Sequence, residues 1–367
     1  MMSRFERQHI LSGFGIEAQK KLQNATILVI GAGGLGCPIL LYLAAAGVGK
    51  IGIMDGDVVS LSNLNRQILF GENDIGKAKA SVAADYLRKK YSELEIKEIP
   101  EFITTANAIE VMSDYDLIID GTDNFSTRYL VNDACVLLKK PLVFGAIYEH
   151  EGQVLVFNSA REGGTNYRDL YPNPPAASEI PNCNETGVLG ILPGIIGVMM
   201  ATETIKVLTG YAESLENKIL FFNSLNYQTY TIDFNSNSGP WNLIPDSFES
   251  FKAKDYSLSC ETVPTVDWDF ALNKSTSDKI IVDIREESEM PKLPKIEVLV
   301  LPMSKLIQES KSLLAFGEIF LFCQSGIRSL KAVTELQKIL PGKSIYSIKG
   351  GITAYLSKHQ ESNHYGN

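Results

Sequence analysis

Histidine is scarce: His9, His150, His359 and His364 are the only four among 367 residues. Imidazoles this few and scattered exclude a His-rich metal site, and no Ser/His/Asp or Cys/His arrangement can be placed among them. Cysteine is scarce too. Cys37, Cys135, Cys183, Cys260 and Cys323 are too few for a disulfide framework in so long a chain. Their odd number leaves a thiol free, which fits a reducing cytoplasm. Basic charge is in deficit, with 34 Lys and Arg against 43 Asp and Glu and a formal net charge of -9. That balance excludes nucleic acid as the main partner, because neutralising phosphates needs a basic surface. The opening MMSRFERQHI has no apolar stretch, so no signal peptide is expected. One uncharged run, Ala25 to Gly49, is long enough to cross a bilayer, for which about 20 residues suffice. Gly31, Gly33, Gly34, Gly36 and Pro38 in its middle would break a lipid-exposed helix, so no membrane partner is expected.

What is present is material for packed cores: 45 % hydrophobic residues against 21 % charged. Disorder as the dominant state is excluded, and the length implies two domains at roughly 150 residues each. Ala25 to Ile30 (ATILVI) reads as a strand buried on both faces, PILLYLAAAGVG as a helix, and KIGIMD as a second strand. Strand, helix and strand in succession make a βαβ unit with parallel pairing. Further strands are predicted at Leu117–Asp120 and Leu142–Ala146, with helices over Ala78–Lys90 and Ser126–Leu138. The fold class is α/β, a Rossmann-like doubly wound sheet. After Gly210, Lys218–Phe222 and Gln228–Ile232 read as a hairpin, and the polar FNSNSGPWNLIPDSFESFKAKD reads as an interdomain linker. A second, smaller α/β unit follows, with strands at Lys279–Ile284, Ile319–Cys323 and Ser344–Ile348 and a helix after Ser329.

Gly31-Ala32-Gly33-Gly34-Leu35-Gly36 satisfies G-x-G-x-x-G between a strand and a helix. Glycines admit a phosphate close to the backbone, and the helix N-terminus favours its charge. Asp55, nineteen residues beyond Gly36, sits where a carboxylate accepts ribose hydroxyls. The motif says nucleotide without saying which. Asn63 and Arg66 in VVSLSNLNRQ, then Lys77 and Lys79 in GKAKA, supply cations that a triphosphate needs and a nicotinamide site does not. Asp120 and Asp123 in DGTDN suit Mg²⁺ held by one or two carboxylates and phosphate oxygens.

From Arg4 to about Phe234 the chain resembles the MoeB/ThiF family of ubiquitin-activating-enzyme-like adenylyltransferases. The elements that carry the resemblance are RFERQ, GAGGLGCP, DGDVVSLSNLNRQ, GKAKA, DGTDNFSTR, CNETGVLG and ATETIKVLTG. The resemblance implies that Gly34, Asp55, Asn63, Arg66, Lys79 and Asp123 bind Mg-ATP, with Asp123 holding Mg²⁺ through the nucleotide. It implies a homodimer in which Arg7 reaches into the neighbouring subunit's site. The implied chemistry is attack of a carboxylate on the α-phosphorus of ATP, and its demands are charge neutralisation and positioning by Arg7, Arg66 and Lys79. The carboxylate belongs to the C-terminal Gly-Gly of a ubiquitin-like sulfur-carrier protein; this chain ends HYGN and is not its own substrate.

Cys37 and Cys135 lie in apolar helical segments and read as buried small hydrophobes. Cys183, in the polar stretch ASEIPNCNETGVLG, reads as structural on sequence alone, whereas the resemblance makes it a thiol that can link to the activated carrier. Many relatives hold zinc with two C-x-x-C pairs. Asn166-Tyr167-Arg168-Asp169 stands in place of the first pair and the lone Cys260 is all that remains of the second, so no zinc site is expected. Cys323 opens CQSGIRS after the strand EIFLF and before a helix, where loop N–H groups and the helix N-terminus stabilise a thiolate and Arg328 adds a cation. Four residues separate Cys323 from Arg328, one fewer than in phosphate-cradling loops, so the ring suits a sulfur. With VDIRE (Asp283, Arg285) upstream and IKGGITAY downstream, residues from about 262 to 360 resemble a rhodanese domain, although MPKLPKIEVLVL lacks the usual H-x-P-G-A turn.

The expected organisation is an adenylyltransferase domain over 1–235, a linker over 236–261 and a rhodanese-like domain over 262–367. The expected function is ATP-dependent adenylylation of a sulfur carrier, then sulfur transfer from a Cys323 persulfide to give a thiocarboxylate, for molybdopterin or thiamine biosynthesis. A persulfide donor such as a cysteine desulfurase is implied. Two alternatives are a nicotinamide-dependent oxidoreductase, which leaves VSLSNLNRQ and the lysines unexplained, and a non-catalytic scaffold for a ubiquitin-like partner, which leaves Arg66, Lys79 and Asp123 without a role.

Overall fold

The computed structural model describes residues 4–158, 164–174, 187–236, 239–256, 264–273, 278–293, 296 and 298–361. The described residues fall into two compact units, the first ending at Tyr256 and the second beginning at Pro264. In the first, α1 (Glu6–His9) and α2 (Gly15–Asn24) precede β1 (Thr26–Ile30), α3 (Gly36–Ala46), β2 (Lys50–Met54), α4 (Lys79–Lys90) and β3 (Glu95–Ile99). Next come α5 (Ala108–Ser113), β4 (Leu117–Asp120), α6 (Phe125–Leu138), β5 (Leu142–Tyr148) and β6 (Glu151–Phe157). The unit continues with α7 (Tyr167–Leu170), α8 (Ile191–Thr209), β7 (Lys218–Asn223), β8 (Thr229–Asp233) and α9 (Phe248–Ala253).

One eight-stranded sheet runs β3-β2-β1-β4-β5-β6-β7-β8. The first five strands of that order pair in parallel, as the βαβ pattern requires. β1 lies deep in the sheet, with Ile27, Leu28 and Val29 wholly covered. The uncharged run Ala25 to Gly49 is therefore strand, turn and core helix. β6, β7 and β8 extend the sheet by antiparallel pairing. The sequence pattern anticipates the β7–β8 hairpin and misses β3 and β6. β3 reads EIKEI and exposes most of its side chains at the sheet edge, so its hydrophobicity is low. α8 is long and apolar enough by composition to cross a membrane. Here it lays Leu192, Ile196 and Met200 into the core shared with β1 and α3.

The stretch expected as a linker is largely part of this unit. Phe251 on α9 is fully buried and packs, with Tyr256, in the core that contains Tyr129, Phe144 and Phe157. Two aromatic anchors among polar residues are too sparse to produce a period, which is why the segment reads as loose.

The second unit is built from β9 (Thr265–Val266), α10 (Trp268–Asn273), β10 (Lys279–Asp283), β11 (Leu299–Val300), β12 (Glu318–Phe322), α11 (Ile327–Ile339), β13 (Ser344–Ile348) and α12 (Gly351–Glu361). Its five strands lie in the order β11-β10-β12-β13-β9, all parallel. One face buries Leu321 and Val333 beside Leu336; the other packs Trp268, Phe320, Phe322 and Ile352. The smaller α/β unit expected from the sequence is thus present.

Candidate active sites on two strand-to-helix turns

The first turn joins β1 to α3. Gly31 has φ +92°, donates its N–H to the Met54 carbonyl at 2.8 Å, and lies so close to Gly121 that a Cβ would stand 2.9 Å from that carbonyl oxygen. A Cβ on Gly36 would overlap the Gly31 carbonyl oxygen. These two glycines close the turn. Gly34 is packed against the start of α8 and the Arg66 stem: a Cβ would sit 3.1 Å from Pro193 and 3.5 Å from the Arg66 Cγ.

Asp55 stands at the end of β2 with its carboxylate fixed by backbone. Oδ2 accepts the Ala32 N–H of the glycine turn at 2.8 Å, and Oδ1 accepts the Asp57 N–H at 2.8 Å. Burial raises its pKa, while the two N–H donors and Lys79 act against that rise. Lys79 is only 6 % exposed, and its ammonium lies 3.0 Å from the Asp57 carboxylate. The Arg66 guanidinium is braced by the Ser62 carbonyl and the Asn65 side chain, both at 3.0 Å. Asn63 accepts the Ser60 N–H at 3.3 Å, so its side chain shapes the turn that presents Arg66.

Asp120 and Asp123 part company. Asp120 is 1 % exposed, and its Oδ1 accepts the Thr122 N–H and hydroxyl at 2.9 and 2.6 Å. Burial raises its pKa, Arg128 and the bonds to Thr122 act against that rise, and its Oδ2 is buried without a hydrogen-bond partner. Asp123 is exposed just beyond β4. Arg7 is not brought to this chain's own glycine turn. Its neighbours Phe5 and Gln8 pin α1 to Gly47 and the Ala46 carbonyl, at the far end of α3. At 1.5 Å per residue the helix puts that anchor about 16 Å away from Gly36. Arg7 itself is exposed.

Sequence reasoning passed over several residues. Asp57 pairs Lys79, and only the spacing in DGDVV hinted at it. Gln67 is 4 % exposed, with its amide nitrogen 3.7 Å from where a Gly33 Cβ would be and its oxygen without a partner. Arg128 is buried and stacked on Phe125 and Phe144. Cys37 lies beneath the same turn, its thiol pushed up to about 12 chiefly by burial; Cys135 is buried likewise.

At Asn166–Asp169, where the expected first C-x-x-C pair is missing, α7 is capped by Asn166 and its Arg168 enters a buried ionic knot. The Arg168 Nε and Nη2 donate to Asp133 on α6 at 2.7 and 2.8 Å. Lys254 and the Tyr256 hydroxyl donate to the same carboxylate at 3.1 and 2.8 Å. The knot ties α6, α7 and the segment after α9 together. Among the described residues no group of three or more His, Cys, Asp and Glu side chains could hold a metal. Cys183 and Cys260 lie outside the described residues.

The second turn joins β12 to α11. Gly326, at φ +93°, donates its N–H to the Cys323 sulfur at 3.2 Å, and the Ser329 hydroxyl lies 3.9 Å from it. Cys323 is 1 % exposed. Behind it, Arg285 forks onto Asp283 at 2.9 and 2.7 Å and reaches the Gln324 side chain at 3.3 Å. At the rim, Arg328 forks onto Glu289 at 2.6 and 2.7 Å.

With both turns in view, comparison with known proteins assigns the chain. The ThiF family matches residues 5–239. The "Probable adenylyltransferase/sulfurtransferase MoeZ" of Mycobacterium tuberculosis is 38 % identical over 98 % of this chain and 94 % of its own length. "Adenylyltransferase and sulfurtransferase MOCS3" of Aedes aegypti is 36 % identical over 96 % and 86 %. "Sulfur carrier protein adenylyltransferase" of Thermus thermophilus is 47 % identical over 61 % of this chain and 84 % of its own. Among solved structures, E. coli MccB crystallised with ATP superposes with a TM-score of 0.57 at 23 % identity, covering 65 % of this chain and 73 % of that one, a likeness of fold. Neither the oxidoreductase nor the scaffold alternative finds support in this company, and the chain belongs to the ThiF family as an enzyme of the adenylyltransferase and sulfurtransferase class.

Proposed function

We propose that the first turn adenylates the C-terminal glycine of a ubiquitin-like sulfur carrier and that Cys323 supplies the sulfur that converts it to a thiocarboxylate. The observation that carries the first half is the Asp55 carboxylate held against the Ala32 N–H of the glycine turn, with the covered Lys79 ammonium paired next to it. In this reading Asp55 accepts the ribose hydroxyls, the Gly33–Gly34 backbone receives phosphate, and Arg66 and Lys79 neutralise it. A carboxylate oxygen of the carrier bonds to the α-phosphorus, and the bond to the β-phosphate breaks with pyrophosphate leaving. Asp123, the exposed acid of DGTDN, fits Mg²⁺ shared with phosphate oxygens, and the ion would add charge neutralisation there. Arg7, exposed at the far end of α3, supports a homodimer in which it serves the neighbouring subunit's site.

The sulfur half follows from the second turn. The terminal sulfur of a Cys323 persulfide attacks the adenylated carbonyl and AMP leaves. A second, external thiol then attacks the Cys323 sulfur of the acyl disulfide; a disulfide to Cys323 forms, the S–S bond to the acyl sulfur breaks and the thiocarboxylate leaves with its electron pair. Cys183 is the candidate for a covalent intermediate on this route. The test is pyrophosphate exchange into Mg-ATP by the full chain, with and without a Gly-Gly-ended carrier. Carrier-dependent exchange is expected; none with any carrier would overturn the reading.

A further inference from the structure

Two arginines approach the Cys323 loop, and both are already matched by carboxylates. Arg285 is spent on Asp283 behind the loop. Arg328, the rim cation, is gripped by both oxygens of Glu289, a residue that the loop does not contain. Glu289 first, and the Cys323 sulfur to a lesser degree, raise the Arg328 pKa. Glu289 is fixed in turn, since its Oε1 accepts the Glu286 N–H at 2.9 Å and Arg328 holds its carboxyl down to about 2. The rim therefore shows an incoming donor a neutral pair in place of a free cation.

Charge of that kind discriminates between sulfur donors. A small oxyanionic donor such as thiosulfate brings two negative charges and needs uncompensated positive charge to dock. A persulfide on a protein thiol carries its charge on the sulfur that is transferred. Resting on the reading of Cys323 as sulfur acceptor, we propose that Glu289 sets the donor class: by neutralising Arg328 it admits thiol-borne persulfides and disfavours small oxyanionic donors. In the step itself the Cys323 thiolate attacks the outer sulfur of the donor. A Cys323 S–S bond forms and the donor S–S bond breaks. Its electron pair leaves with the donor thiolate, or with sulfite when thiosulfate is the donor.

The experiment uses the full chain and measures alkylation of Cys323 by anionic iodoacetate and neutral iodoacetamide, read by peptide mass spectrometry. Glu289→Gln is expected to raise the iodoacetate-to-iodoacetamide rate ratio about fivefold, and added salt to reduce the gain. The KM for thiosulfate in sulfur transfer to cyanide should fall in parallel. Glu287→Gln removes an equal charge from an exposed neighbour paired to Lys305, and should move the ratio less than about twofold. Arg328→Gln added to Glu289→Gln should return the ratio to its starting value. An unchanged ratio in Glu289→Gln, an equal rise in Glu287→Gln, or a Cys323 that neither reagent reaches in either protein would overturn the proposal. Sulfur transfer that survives Cys323→Ser would instead overturn the acceptor reading, because the alkylation ratio depends on charge and not on turnover.

Discussion

The two strand-to-helix turns occupy the same position in their sheets and solve opposite problems. Each follows a buried parallel strand, opens a helix, and contains a glycine with positive φ, Gly31 at the start of one and Gly326 at the end of the other. The β1 turn carries no charge of its own; its acid and its cations are imported from Asp55, Arg66 and Lys79, so the turn is a bare cradle. The β12 turn carries nucleophile and cation itself, with the charge quenched from outside by Glu289. An open cradle suits a bulky polyanion. A closed, neutralised ring suits one sulfur atom.

The largest effect that breaks this comparison is Cys323→Ser. It should abolish thiocarboxylate formation, followed by mass spectrometry of the carrier, and leave carrier-dependent pyrophosphate exchange within about twofold, since nucleophile loss removes only its own step. Loss of both activities together would sink the division of labour. Lys79→Met comes next. Removing a covered cation from the site of developing charge should slow exchange about 10²- to 10³-fold, with thiosulfate-dependent sulfur transfer unaffected.

The forked ion pairs sharpen the contrast in stability. Arg168→Met leaves Asp133, which has no exposed surface, with Lys254, Tyr256 and the Asn132 amide but without its forked partner, and should cost about 3–5 kcal/mol in urea titration of the first unit. Glu289→Gln breaks a fork of the same geometry at a half-exposed rim and should cost less than about 1 kcal/mol. Equal costs would mean that burial does not govern these pairs.

Much of this was legible in the sequence because it rests on local grammar. The glycine spacing, the acid after β2 and SNLNRQ each need only a strand and a turn to acquire meaning. CQSGIRS does too, and the structure places them where that grammar requires. What was not legible depends on partners distant along the chain. Glu289 meets Arg328 across 39 residues and Asp133 meets Arg168 across 35; nothing in either segment announces the other. Asp120 shows the limit inside a motif. Its identity suggests an ion ligand, and neither its burial nor the bonds of its Oδ1 to Thr122 can be read from the motif. The same holds for Phe251 and Tyr256, whose burial turns a polar segment into part of the first core.

The smallest effect is in acid, and there the two turns should respond with opposite sign. Arg328 lowers the Glu289 carboxyl from 4.5 to about 2, so the folded state binds this proton less tightly than the unfolded chain. The stability that this pair contributes is complete above pH about 4.5 and is lost as the pH falls towards 2. Asp55 runs the other way: burial raises its pKa above 3.8, so protonation relieves a penalty in the unliganded turn as the pH falls. Urea titrations at pH 6 and pH 3 separate the two. Trp268, 4 % exposed in the second unit, reports one by fluorescence once Trp241→Phe removes the other tryptophan. Glu289→Gln should lessen the acid loss in the second unit and do nothing to the first. Asp55→Asn should stabilise the unliganded first unit at pH 6 and weaken its hold on ATP. If both substitutions shifted stability in the same direction with pH, the imported acid of the first turn and the quenching acid of the second would not be the opposites that their bonding describes.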